Sequence, residues 1–100
     1  MSFRFHAEVW KYPGDSAWHF VTLPIEVAEE IHDLTAGSRR GFGSVRVVAT
    51  IGKSQWSTSV FPEKKSGSYV LPLKKSIRSS EHLEDGGPAD IAIALALVVS

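Results

Sequence analysis

Apolar and polar residues alternate from Phe3 to Trp10, with Phe3, Phe5, Ala7 and Val9 on one side and Arg4, His6, Glu8 and Trp10 on the other. A two-residue period is that of a strand with one buried face. Tyr12-Pro-Gly-Asp-Ser16 then supplies turn chemistry: Pro13 fixes φ, Gly14 accepts positive φ, and Asp15 can bond nearby backbone. A second strand over residues 17–23, antiparallel to the first, follows from that turn. Pro24 suits the first turn of a helix, where its missing N–H costs nothing. Val27, Ile31 and Leu34 fall at i, i+4 and i+7, while Glu26, Glu29, Glu30 and Asp33 line another face, so a helix is predicted over 24–34. Gly37 is the expected stop, because glycine most readily takes the left-handed conformation just past a helix end.

Two further strands are predicted over 45–51 and 55–61, joined through Gly52-Lys53-Ser54. Trp56, Thr58 and Val60 share one parity, and Gln55, Ser57, Ser59 and Phe61 the other, giving an apolar face and a mostly polar one. After a turn over 62–67 comes a strand over 68–73, in which Pro72 cannot donate a ladder hydrogen bond and so marks a sheet edge or the strand's end. Residues 74–79 read as a helical turn or loop. The last strand, 91–99, is apolar at both parities, which calls for burial on both sides or cover from a partner subunit. Six strands with one helix inserted after the second make a mainly β fold. The arrangement suits a small six-stranded closed or nearly closed β-barrel with the helix at one end.

Three stretches carry a family likeness: Trp18-His-Phe-Val-Thr-Leu-Pro24, Gly67-Ser-Tyr-Val-Leu-Pro-Leu-Lys-Lys-Ser-Ile-Arg78, and Asp85-Gly-Gly-Pro-Ala-Asp90. With Trp56 and Ser59 between them, the chain resembles the small β-barrel proteins grouped as domain of unknown function 1905 (DUF1905). The resemblance spans nearly the whole chain and implies the barrel-and-helix architecture. It implies no activity.

One hundred residues, 43% of them hydrophobic, supply one core, so residues 1–100 read as a single domain. The absence of cysteine excludes disulfides, thiolate catalysis and zinc-thiolate sites. Met1-Ser-Phe-Arg-Phe-His lacks the regions of a secretory signal, and the longest apolar run, nine residues, falls short of the ~20 a membrane helix needs. A soluble cytoplasmic protein with no membrane partner is the expectation. The net charge of zero conceals segregation: residues 1–38 sum to −4, residues 39–78 to +8 and residues 79–100 to −4. Folding either lays these segments side by side and neutralises them, or leaves a basic surface for an anionic partner.

Candidate chemistry concentrates in the basic middle. Lys74, Lys75 and Arg78 follow a strand end, and one helical turn would bring Lys74 and Arg78 to one face. With Trp56 or Tyr69 beside them they could hold a phosphate or an unpaired base, joining charge to stacking. The competing reading makes both aromatics core anchors and the lysines a solubilised sheet edge. Gly37-Ser-Arg-Arg-Gly-Phe-Gly43 reads either as a solvent loop or as an anion cradle, in which Arg39 and Arg40 would join the cluster. His6, His19, His32 and His82 lack the spacing of a metal motif, although His6 and His19 with Glu8 form a conceivable set. Ser57 and Ser59 lack the context of a nucleophile elbow.

No metal site, cofactor motif or catalytic constellation is therefore assigned, and the reading leans away from an enzyme. Most weight falls on a non-enzymatic binding module for an anionic partner, a nucleic acid or phosphorylated ligand. The alternative is a small-ligand enzyme or sensor using a barrel interior lined by Trp10, Trp18 and Trp56. A homodimer through Ile91, Ile93, Leu95 and Leu97 is a third, structural possibility.

Overall fold

The computed structural model describes residues 2–14, 17–37 and 43–96. Among them the chain forms β1 (Ser2–Glu8), β2 (Trp10–Lys11), β3 (His19–Thr22), α1 (Ile25–Leu34), β4 (Val45–Ile51), β5 (Ser54–Glu63), β6 (Ser68–Pro72), α2 (Lys75–Ser80) and β7 (Pro88–Leu95). All strand pairs are antiparallel, in the order β1-β7-β4-β5-β6-β3-β2, and the sheet curls into an open half-barrel.

The mainly β class holds, whereas the closed six-stranded barrel gives way to seven strands and an open sheet. The predicted first strand divides at Val9. Its ladder with β7 ends at Glu8↔Pro88, and Val9 bonds the loop before β7 instead, N to Gly87 O at 2.8 Å and O from Gly86 N at 2.7 Å. Gly86 makes that approach with φ +83, open to glycine without a Cβ clash. From Trp10 the chain pairs with β3, so β1 and β2 end up on opposite edges of the sheet.

The helix ends at Leu34 as predicted and starts one residue later than predicted, at Ile25. Pro24 is the cap rather than the first helical residue, with ψ 146 and its carbonyl accepting Ala28 N at 3.0 Å. Ala28 and Ile31 are buried and Val27 is partly so, while Leu34 is exposed. Termination falls to Thr35, not Gly37: its N and Oγ1 both donate to Ile31 O, at 3.0 and 2.7 Å. Gly37 lies outside the left-handed region, so it performs no glycine-specific stop.

Parity sets the faces of the sheet as predicted for β5: Trp56 and Val60 are buried, Gln55, Ser57 and Phe61 exposed. Val21, Leu23, Ile31, Leu71, Ile91 and Ile93 are nearly or wholly sealed and fill the interior of the half-barrel. Each such side chain contributes about 1.5–3 kcal/mol. In the sheet β7 lies between β1 and β4, and its Ile91 and Ile93 face is buried within the chain, while Ala92 and Ala94 on the other face are only partly buried. Leu95 is partly exposed, and Leu97 lies outside the described residues. Among the described residues no helix is long and apolar enough to cross a membrane.

Candidate functional site

The β5–β6 pairing is short for two strands of ten and five residues. Their ladder consists of Phe61↔Val70, Pro62↔Tyr69 and Glu63↔Ser68, after which the strands part. On one side, residues 54–60 of β5 pair with β4; on the other, residues 70–72 of β6 pair with β3. A cleft of about 370 Å³ occupies the wedge, with Trp56, Ser57 and Thr58 on one wall and residues 17–20 and 72–75 with Arg78 on the other. The volume falls within the range of small-ligand sites.

Local sequence explains why cations gather there. Pro72 ends β6 for want of an N–H, and Leu73 N makes one more bond, to His19 O at 2.9 Å. Lys74 is still extended, with ψ 156, before α2 begins. Ile77 is the buried anchor of α2, which leaves Lys74 and Lys75 exposed and Arg78 half-buried. Arg78 N donates to Lys74 O at 3.1 Å, the helical spacing the sequence predicts. The guanidinium is already committed to the fold: Nε donates to Leu73 O at 3.1 Å and one terminal nitrogen to Ala17 O at 3.4 Å. Lys74 and Lys75 are the exposed cations at the rim, while Arg78 mainly ties α2 to the segment before β3.

Trp56 reaches the cleft but is 8% exposed, so it is chiefly a core ring forming part of the wall. Tyr69 does not reach it. Buried on the part of β6 still paired with β5, it lines a separate cleft under α1 beside Ala28, Glu29 and His32. Arg39 and Arg40 lie outside the described residues.

The aromatic that sequence reasoning undervalued is Trp18, 68% exposed in the cleft wall with its ring 6.2 Å from that of Phe20. Its signal was parity, since Trp18, Phe20 and Thr22 alternate with the buried Val21 and Leu23. The three tryptophans do not share an interior. Trp10 lies on the far side of Phe20, ring centroids 5.0 Å apart, and donates from Nε1 to Thr22 Oγ1 at 2.9 Å.

The histidines are dispersed. His6 Nδ1 stands 3.8 Å from Asp90 Oδ1 across the β1–β7 ladder, and His19 Nδ1 is 2.7 Å from Ala17 O. Among the described residues no group of three or more acidic or histidine side chains gathers in metal-binding geometry. The cleft thus presents two ammonium groups, Ser57 and Thr58 on one wall and an exposed indole. That set can hold an anion by charge and hydrogen bonding and a flat ring by stacking.

A family model described as Domain of unknown function (DUF1905) matches residues 5–93. No curated protein matches the chain.

Proposed function

The chain belongs to the DUF1905 family, and for this member we propose a binding module whose ligand joins a phosphate to a planar ring. The observation that carries the reading is the placement of exposed Lys74 and Lys75 in the same 370 Å³ cleft as a tryptophan that is 68% exposed. A ring of that size left open to water forgoes most of the burial that normally justifies it. Stacking on a ligand would restore that burial, and lysines at the rim would meet the phosphate. Ser57 and Thr58 offer hydroxyl donors on the opposite wall, and Arg78 holds that end of the cleft in shape. A nucleotide, free or at an unpaired position of a nucleic acid, satisfies every element.

Titration with nucleoside monophosphates, inorganic phosphate and free nucleosides, followed by calorimetry at low and physiological salt, tests this. Monophosphates should bind better than either fragment, and affinity should fall with salt. Joint Lys74→Glu and Lys75→Glu replacement should lower affinity about tenfold without lowering stability, since both side chains are exposed. Trp18→Leu should weaken monophosphates and nucleosides but not phosphate. Binding that ignores salt and both lysines would overturn the anionic reading and favour an uncharged ligand. Absence of binding by all three probes would remove the proposal.

A further inference from the structure

The outer face of the β2-β3-β6 end of the sheet carries more aromatic surface than one cleft uses. Trp10 and Phe20 are direct cross-strand partners, so their rings share a face, and Trp18 continues the row two residues along. Phe20 and Trp18 line the cleft already described. Trp10 lines a second cleft of about 830 Å³, together with Tyr12, Thr22 and Lys65. The two clefts therefore open on one sheet face and are joined through the Trp10–Phe20 ring pair. Tyr12 is 56% exposed at the far end and Trp18 68% at the near end. Cations stand at both ends, Lys74 and Lys75 at one and Lys65 at the other, all exposed.

Resting on the nucleotide reading of the first cleft, we propose that this face is a track for a single strand of nucleic acid, one nucleotide in each cleft and the intervening base on the aromatic row. Aromatic rings offer stacking to any base and lysines meet phosphates, which is how single strands are held without sequence readout. A folded protein partner would not need cations at both ends of an aromatic row, whereas a polyanion with flat bases needs both. Glu63 also lines the far cleft and opposes a phosphate there, so the near cleft carries most of the charge attraction. A duplex hides its bases within the stack and should compete poorly.

The test compares a nucleoside monophosphate with single-stranded RNA and DNA homopolymers of about six residues, which is within the usual site size of one small domain. Affinity should rise about tenfold or more from the monomer to the oligomer. Lys65→Glu, at an exposed position outside the first cleft, should weaken the oligomer and leave the monomer unchanged; Glu63→Gln should strengthen the oligomer alone. Trp10→Leu should act like Lys65→Glu, with circular dichroism checking that the β2–β3 pair survives. A monomer that binds as tightly as the oligomer would overturn the track and leave the first cleft standing. Oligomer binding indifferent to Lys65, Glu63 and Trp10 would overturn it too, placing the extra contacts elsewhere. Failure of monomer and oligomer alike would remove both readings.

Discussion

Replacing Gly52 with alanine probes how the hairpin between β4 and β5 holds α2, and with it the cationic side of the cleft. Gly52 has φ +58, and a Cβ there would fall on the Glu81 carboxylate, 2.9 Å from its Cδ and closer still to Oε1. Glu81 caps the C-terminal end of α2, and its Oε2 accepts from Ser54 Oγ at 2.7 Å. Two costs combine. Left-handed backbone costs a non-glycine residue about 1–2 kcal/mol, part of it offset by the lower entropy of the unfolded alanine chain. The collision is with the end of a flexible side chain, which swings away and surrenders its bond to Ser54, about 1 kcal/mol for a half-exposed carboxylate. The sum is about 2 kcal/mol, or a fall in Tm of about 8–16 °C for a domain of this size.

Urea unfolding of four proteins separates the two parts: the parent, Gly52→Ala, Glu81→Ala and the double variant. Without the Glu81 carboxylate only backbone strain remains, so Gly52→Ala should cost about 1 kcal/mol less in that background, with the dependence on urea unchanged. Equal costs in both backgrounds would refute the collision and leave backbone strain as the whole effect. Glu81 does not line the cleft, but α2 carries Lys75 and Arg78. Glu81→Ala should therefore also weaken nucleotide binding while leaving every cleft side chain in place.

Gly37→Ala should stabilise the protein by about 0.4–1 kcal/mol in thermal unfolding, because Gly37 is not left-handed and an added Cβ meets nothing within 4 Å. His82 has φ +54 just past α2, where Leu83 N bonds back to Arg78 O at 2.9 Å, so His82→Gly should raise stability by about 0.5–1 kcal/mol. Arg78→Ala should cost about 1–2 kcal/mol by urea unfolding through its bonds to Leu73 and Ala17, whereas Arg78→Lys should keep the cleft's charge yet lose most of that stability. Thr35→Val should lose about 1 kcal/mol, since the buried Oγ1 bond to Ile31 O disappears while the backbone bond remains.

Period and parity made much of the sheet legible. Phe5 and Val9 face inward as alternation requires, and the hairpin through Gly14 forms with φ +105 at that glycine. The break at Val9 left no trace in the pattern, because the buried parity runs through it; what changes there is the backbone's partner, a glycine loop near the other end of the chain. α2 was ambiguous for a different reason. Six residues with a single buried anchor, Ile77, are too few for a periodic signal. The cationic part of the cleft was readable because Lys74, Lys75 and Arg78 are neighbours in sequence. Tyr69 misled because it lies on the strand that ends at the cleft, but on the stretch before the strands part, facing α1 instead.

That parting ties the fold to its proposed use. A closed barrel would continue the β5–β6 ladder past Phe61 and fill the wedge with backbone hydrogen bonds, sealing the side chains of residues 56–58 against residues 72–74. The chain instead turns Leu73 N toward His19 O and sends Arg78 back to Leu73 O and Ala17 O, so the C-terminal end of β6 is held by β3 and α2 rather than by β5. These bonds satisfy the backbone on one side of the wedge without closing it. The opening is consequently braced rather than frayed, and a braced gap with lysines on its rim presents its groups in a fixed geometry. Such preorganisation reduces the ordering cost of binding. If the bracing is what makes the cleft competent, Arg78→Lys should lower nucleotide affinity by a factor similar to Glu81→Ala, although the first keeps the charge and the second never faced the ligand. Calorimetric titration of the two variants with the same monophosphate decides it: an affinity that survives both changes would show that charge alone, without a held wedge, accounts for binding.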